Sequence, residues 1–205
     1  MKPKQLYHSR FVGDIRYFCE ERFAFDRIAE SFFGFVPQSG LLVRLIGADE
    51  RSEISLGTLR GRLYAEHIEV KYLGLFGNCR ISRSRMGCLR IFQESNMFHK
   101  GVPREKLETI FQRQIEACRE MSIDQIIMFG RKSQLQQSFY LLPLFGFDGP
   151  LPNAIYPILP DQFHSLRTFG ELFRTKNGQK WWENYGSSIP MPLRFTVNKD
   201  PYENN

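Results

Sequence analysis

The sequence predicts an α+β fold, in which a mixed β-sheet is flanked by helices on both faces. The main observation behind this prediction is the order of patterns between residues 96 and 149, where a turn, an amphipathic helix, an apolar strand and a second helix follow one another. Shorter apolar runs, separated by polar turns, precede this segment. A chain of 205 residues that is 42% hydrophobic can bury one sizeable core, so a single main domain is expected.

The N-terminal part is predicted to form a helix, a strand and an extended region. Asp14 can cap a helix that ends at Gly34. The apolar stripe of this helix consists of Ile15, Phe18, Phe25, Ile28 and Phe32. The apolar run at residues 40–46 predicts a strand, and the polar residues 48–53 predict a turn. Partial alternation over residues 54–72 predicts a further extended region.

The central segment has the clearest periodicity. Residues 89–94 predict a strand, and a Gly-Val-Pro turn at residues 101–103 then opens a helix, because proline fits the first helical turn. The apolar stripe of this helix consists of Leu107, Ile110, Phe111, Ile115 and Cys118. The apolar run at residues 125–129, closed by Gly130, predicts a buried strand, and residues 133–142 predict another helix.

The C-terminal part is less regular. Prolines punctuate an extended segment around residues 155–159, and residues 163–173 are predicted to form one more helix. The adjacent tryptophans at positions 181 and 182 are expected to anchor the tail on the body of the protein. We therefore expect a main domain over residues 1–160 and a C-terminal extension over residues 161–205 that packs on it, with flexible last residues.

The formal charge of +6 favours an acidic partner, such as a phosphorylated cofactor, an acidic carrier protein, an anionic membrane or a nucleic acid. The densest basic patch contains Arg80, Arg83, Arg85 and Arg90, with no aromatic residue between the first and the last. Because single-stranded nucleic acids usually stack their bases on aromatic side chains, the patch favours a solvated hairpin, or a dock for phosphates and carboxylates, over nucleic acid.

Cysteine and histidine usage predicts neither a disulfide framework nor a metal site. The four cysteines show no Cys-x-x-Cys pair, which is typical of reduced core cysteines, although a lone cysteine nucleophile is an alternative. The four histidines lack the spacing of zinc ligands. The chain has no long apolar stretch for a membrane span and no secretory apolar core near Met1, so a cytoplasmic location is expected.

The segment between residues 96 and 149 resembles the second half of the GNAT superfamily of acyltransferases. In that family a strand, a phosphate-binding loop, a helix, a strand and a helix end in a Tyr-x-x-Leu-Gly-Phe-like motif. Residues 99–103 stand at the place of the family's Arg/Gln-x-x-Gly-x-Gly/Ala loop. Phe139 and Tyr140, with residues 145–147, stand at the place of the tyrosine and the Gly-Phe ending. The family's last hairpin would then fall around residues 155–159.

The resemblance implies an N-acyltransferase that moves an acyl group from acyl-CoA or acyl carrier protein to an amine acceptor. Tyr140 would protonate the leaving thiolate, and Glu94 would take the proton of the amine, with Glu69 and His67 as further candidates for the base. The thioester would lie between the strand that precedes the loop and the strand at residues 125–129. The donor-binding residues would be Ser95, Asn96, Lys100, Gly101, Val102, Arg104 and Met128.

Two departures from the family pattern leave alternatives open. Phe98 stands at the leading Arg/Gln position, and Pro103, which has no N–H, stands at the second Gly/Ala position. Some GNAT-like enzymes that lack the full loop take acyl chains from acyl carrier protein, which would suit a basic surface and nineteen phenylalanines, although coenzyme A is the family's usual donor. A non-catalytic GNAT-like domain, which binds a protein or nucleic acid through its basic face, is the rival. An unrelated α+β binding protein would follow if Gly101 lay away from a helix start.

Overall fold

The computed structural model describes residues 8–12, 15–19, 24–48, 52–59, 62–69, 76–95, 102–130, 138–186 and 191–197. Within these ranges one eight-stranded sheet runs in the order β1 to β8. The strands are β1 (His8–Val12), β2 (Ile15–Cys19), β3 (Ser52–Leu59), β4 (Arg62–Glu69), β5 (Phe76–Arg83), β6 (Leu89–Ser95), β7 (Gln125–Gly130) and β8 (Met191–Thr196). The α-helices are α1 (Ala24–Phe33), α2 (Ser39–Leu45), α3 (Arg104–Glu120), α4 (Ser138–Leu144), α5 (Phe169–Phe173) and α6 (Lys176–Tyr185).

The sheet is mixed, as the sequence predicts. Five neighbouring pairs are antiparallel, and the pairs β2–β3 and β6–β7 are parallel. Each parallel pair needs a crossover connection, which α1 and α2 provide for the first pair and α3 for the second. The coarse prediction of a mixed sheet combined with several helices is therefore confirmed.

Two N-terminal predictions are wrong. Residues 15–19 form β2 rather than the first turns of a helix, because they pair with β1 on one side and β3 on the other, and the helix begins at Ala24. Residues 40–46, which we expected to be a strand, lie almost entirely within α2. Leu42 and Leu45 in that helix, and Ile46 directly after it, are buried, at a spacing that a helical turn places on one face. A short apolar run fits a buried helix as well as a strand, and packing against α3 favours the helix.

The central predictions are confirmed. Residues 89–94 lie in β6, and all five residues of the predicted apolar stripe of α3 are buried. Strand β7 covers the predicted run, and its three consecutive buried residues, Ile126, Ile127 and Met128, show that both of its faces are covered. The helix expected at residues 133–142 is observed as α4 from Ser138, and the residues before it lie outside the described ranges.

The C-terminal part differs from its prediction in two places. The segment around residues 155–159, expected to be extended, forms a 3₁₀ turn over Asn153–Ile158, because Pro157 fixes a backbone angle that such a turn accepts. The helix expected at residues 163–173 is confined to α5, where Thr168 caps its first turn.

Residues after position 160, which we expected to pack on the domain as an extension, also contribute β8 to the sheet. Trp182 on α6 is fully buried and packs edge-on against Phe169, with ring centroids 4.8 Å apart. Trp182 therefore holds α6 against α5. The last residues, 200–205, which were expected to be flexible, lie outside the described ranges.

Candidate functional site

The parallel strands β6 and β7 stop pairing before either strand ends. Their paired residues run from Arg90 and Gln125 to Gln93 and Met128. Beyond that point β6 remains paired with β5 as far as Ser95, and β7 remains paired with β8 as far as Gly130. In the described part of the chain, the last two residues of each strand therefore have sheet partners on their outer sides only. We call this gap the β6–β7 opening.

Helix α3 is the first described helix that follows the β6 side of the β6–β7 opening along the chain. Residues 96–103 connect Ser95, at the carboxyl end of β6, to Arg104, the first residue of α3, and β7 ends at the same sheet edge. The carboxyl ends of parallel strands are the usual place for ligands in α/β sheets. The first N–H groups of α3 have no partner within the helix, and the helix dipole adds a partial positive charge there.

Pro103 precedes the first residue of α3 and shapes this helix start. Its side chain offers no capping hydrogen bond, and its carbonyl accepts one from the N–H of Leu107, over 3.2 Å. The guanidinium of Arg104 donates from Nε to Oε1 of Glu108, over 2.7 Å, on an exposed face of the helix. The helix start therefore presents backbone donors and one cation that already has an acidic neighbour.

The structure locates four of the predicted donor-binding residues. Ser95 ends β6 opposite Gly77, and Val102 packs partly buried against the core. Met128 is 2% exposed and belongs to the last residue pair before the β6–β7 opening. Arg104 begins α3, as described above. Three further predicted residues lie outside the described ranges, namely Asn96, Lys100 and Gly101.

The two predicted catalytic residues lie on elements next to the opening. Glu94 is in β6, one residue beyond the last β6–β7 pair, and pairs with Asn78 on β5. Its side chain lies outside the described part of the structure. Tyr140 is in α4, which packs against β7, and its half-buried ring lies 5.8 Å from the ring of Phe173. Of the alternative bases, Glu69 is the last residue of β4. His67 lies within β4, where its backbone pairs with Ile54 on β3 and Gly77 on β5.

A buried pair of amides, which sequence reasoning missed, lies beside the last β6–β7 pair. Nε2 of Gln114 donates to the carbonyl of Leu45, over 2.9 Å, and to Oε1 of Gln93, over 2.8 Å. Nε2 of Gln93 donates in turn to the carbonyl of Ile46, over 3.0 Å. These bonds hold the end of α2, α3 and β6 together at the point where β6 and β7 separate. A glutamine within the apolar stripe of α3 was the available signal.

The described residues contain neither a cluster of metal ligands nor a helix that could span a membrane. They contain no group of three or more histidine, cysteine and acidic side chains that could hold a metal ion. None of the helices in the described ranges has both the length and the apolar character that a membrane span requires.

Comparison of the chain with protein-family models, with curated proteins and with solved structures gave no match. The fold and the β6–β7 opening define the chain as a mixed α/β protein with a candidate ligand site at the carboxyl edge of two separating parallel strands. The geometry of that site is the basis for assigning a function to the chain.

Proposed function

We propose that the chain is a GNAT-like N-acyltransferase, which moves an acyl group from acyl-CoA or acyl carrier protein to an amine. The observation that carries this proposal is the β6–β7 opening. Among the residues that the structure describes, the backbone N–H and C=O groups of residues 94–95 and 129–130 have no sheet partner across the opening. An extended thioester arm with its own amide groups would pair with them in the way that an added strand pairs with a sheet edge.

The helix start would receive the phosphate groups of the donor. Unpaired N–H groups at the beginning of α3 and the helix dipole both attract anions. Pro103 contributes no N–H, so fewer backbone donors are available here than in a loop with glycine at that position. This deficit favours a donor that gains affinity elsewhere, such as an acyl carrier protein drawn to a chain of net charge +6.

The reaction requires the amine nitrogen to attack the thioester carbonyl carbon. The carbon–nitrogen bond forms, the carbonyl oxygen becomes negative in the tetrahedral intermediate, and a backbone N–H at the β6–β7 opening stabilises that oxygen. The carbon–sulfur bond then breaks, and the leaving thiolate takes a proton from Tyr140. The proton lost by the amine goes to Glu94, directly or through water.

Binding of the donor is the first test, because it requires no knowledge of the acceptor. The melting temperature of the purified chain is measured against acetyl-CoA, a long-chain acyl-CoA and an acyl carrier protein charged with the same acyl chain. A ligand that binds only the folded state raises the melting temperature as its concentration rises. We expect at least one donor to do so, and absence of any shift at millimolar CoA donors and saturating carrier protein would contradict the proposal.

Turnover tests the role of Tyr140. Loss of the thioester is followed by mass spectrometry in the presence of a mixture of amine acceptors, for the natural chain and for Tyr140→Phe. Removing a general acid lowers turnover by about 10²- to 10⁴-fold while donor binding is retained. Tyr185→Phe is the matched control, because Tyr185 is an exposed tyrosine on α6 that no step of the mechanism uses. Equal turnover of the two variants would remove Tyr140 from the mechanism.

A second candidate function is partner binding by a non-catalytic domain. The observation that favours it is the proline at the helix start, together with the exposed side chains of Arg80, Arg83 and Arg85. Arg83 is already used within the fold, since its guanidinium donates to the carbonyls of Ser31 and Phe32. This candidate predicts that no acyl donor binds and that Tyr140→Phe has no effect.

A further inference from the structure

A second cleft of about 800 Å³ lies between α3, the turn after α4 and β8. Its floor is aromatic. The ring of Phe111 on α3 stacks on Phe145, with centroids 5.8 Å apart, and meets the rings of Phe147 and Phe195 at 5.2 Å each. Phe145 and Phe195 are only partly buried, so their rings present apolar surface to the cleft.

The rim of this cleft is basic. Arg119, Arg174 and Arg194 line it and are exposed. Within the described residues, the guanidinium groups of Arg119 and Arg194 make no hydrogen bond or ion pair, and Arg174 acts on Glu171 only through longer-range attraction. The guanidinium groups of three arginines, with N–H donors that are not used within the described part of the fold, therefore surround the apolar phenylalanine rings.

The acidic groups of the cleft are already occupied. Glu108 accepts from Arg104, over 2.7 Å. Oδ1 of Asp148 accepts from the backbone N–H groups of Gly149 and Gly170, over 2.7 and 2.8 Å. Neither carboxylate neutralises a rim arginine through a direct contact, so the cleft presents net positive charge above an apolar surface.

The cleft and the β6–β7 opening are separate sites. Arg194 and Thr196 on β8 pair with Ile127 and Gln125, at the beginning and middle of β7. The opening lies beyond Met128, towards the other end of that strand. A ligand in the cleft would therefore lie against a different part of the sheet from the donor.

We propose that this cleft binds an amphiphilic carboxylate, whose apolar body lies on the phenylalanine floor and whose carboxylate meets the rim arginines. The volume is within the range of small-molecule sites, about 300 to 1,000 Å³, and such sites combine an apolar lining with a few converging polar groups. The guanidinium fork matches the two oxygens of a carboxylate. This site is distinct from the proposed acyl transfer and does not depend on it.

Calorimetric titration of the full chain with laurate, below the concentration at which laurate forms micelles, tests the proposal. Dodecyltrimethylammonium, which has the same chain length and the opposite charge, is the comparison ligand. We expect saturable laurate binding that weakens as salt rises, and at least about tenfold weaker binding of the cation. Equal binding of both ligands, or no laurate binding, would overturn the proposal.

Two arginine variants test where laurate binds. We expect Arg119→Met and Arg194→Met each to weaken laurate binding about tenfold, because each loses a charge-assisted contact. Arg85→Met is the matched control, since Arg85 is exposed in the turn between β5 and β6, away from the cleft. Laurate that binds both variants as tightly as the natural chain, or that acyl-CoA displaces, occupies another site and contradicts the proposal.

An obstructing variant provides an independent test. Gln112 is exposed on α3 and lines the cleft, so a tryptophan at this position would fill part of the volume without entering the core. We expect Gln112→Trp to weaken laurate binding while the circular dichroism spectrum and melting temperature stay close to those of the natural chain. If any variant fails to fold, the comparison of laurate with the cationic ligand on the natural chain decides the outcome alone.

Discussion

Nε2 of Gln114 on α3 donates a hydrogen bond to Oε1 of Gln93 on β6, over 2.8 Å, and both side chains are almost completely buried. Gln93 is also the last residue of β6 that pairs with β7, opposite Met128. The amide pair therefore lies at the apex of the β6–β7 opening. Because each amide also bonds a carbonyl at the end of α2, the pair fixes the position of two helices relative to that apex.

Replacing Gln114 tests how much this amide pair contributes to stability. Gln114→Leu removes the donor that the carbonyl of Leu45 and Oε1 of Gln93 share, and loss of a hydrogen bond to a buried acceptor costs about 1 to 3 kcal/mol. We expect the free energy of unfolding in urea to fall by about 3 kcal/mol. The neighbouring exposed variant Gln112→Ala is expected to change it by less than about 0.5 kcal/mol. A loss below about 1 kcal/mol for Gln114→Leu would show that water or other groups replace the amide.

The packing of α6 against α5 requires glycine at position 178. A Cβ at Gly178 would overlap the carbonyl oxygen of Leu172, which is backbone and cannot rotate away. We expect Gly178→Ala to lower the free energy of unfolding by about 3 kcal/mol or more, or to prevent folding.

Gly40 provides the matched control for that substitution. A Cβ at this position in α2 meets no described atom within 4 Å. Gly40→Ala is therefore expected to stabilise the protein by about 0.5 to 1 kcal/mol, since alanine loses less backbone freedom on folding. Thermal unfolding of both variants gives the comparison, and destabilisation of equal size would refute the role of close packing at position 178.

The contribution of Glu171 to stability, at the start of α5, depends on pH. Its Oε2 accepts from the backbone N–H groups of Arg167 and Thr168, over 2.6 and 3.1 Å, and these bonds lower the pKa of the carboxyl below its usual range. A carboxyl whose folded pKa lies below its unfolded pKa stabilises the protein above about pH 4.3, and that stabilisation disappears as pH falls through the folded pKa.

Glu171→Gln separates this charge from the hydrogen-bonding geometry. We expect the natural chain to be the more stable of the two at pH 7, by less than about 1 kcal/mol because the group is close to solvent, and the difference to shrink between about pH 5 and pH 3. Urea unfolding at several pH values measures it. Glu183→Gln, at an exposed position on α6, is the control. A difference that persists unchanged at pH 3 would contradict the assignment.

Two cysteines are expected to resist labelling in the folded protein. Burial raises the pKa of Cys79 to about 12, and burial together with the charge of Cys79 raises the pKa of Cys118 further. Because the thiolate is the reactive form, a thiol reagent at pH 8 should modify both only after unfolding. Peptide mass spectrometry identifies the labelled sites, with the half-buried Cys88 as internal comparison. Rapid labelling of Cys118 in native buffer would show that α3 opens readily.

The accuracy of the sequence predictions follows the length of each pattern. Helix α3 has seventeen residues, and its apolar stripe repeats often enough to exclude a strand. Strand β2 has five residues and α2 has seven, and runs of that length are compatible with either structure. The start of α5 also has a local sequence signal. Thr168 and Glu171 have the spacing of a capping box, and they form one in the structure.

The candidate site was predictable only in part. The order of β6, α3 and β7 indicated where a ligand site would lie. Ser95, Arg104 and Met128 are found on those elements, and Val102 lies just before α3. Neither the end of β6–β7 pairing at Gln93 nor the amide of Gln114 has a signature in the spacing of residues. Both depend on which strands and helices become neighbours.

The sequence by itself therefore determined the long central periodicities and the buried strand at residues 125–129, because a helical or extended side-chain period is a local property of the chain. Only the tertiary structure decided that residues 15–19 pair as a strand, that residues 40–46 coil as a helix and that β8 completes the sheet. Those outcomes, the β6–β7 opening and the arginine-rimmed cleft depend on contacts between residues far apart in the chain, which local pattern does not encode.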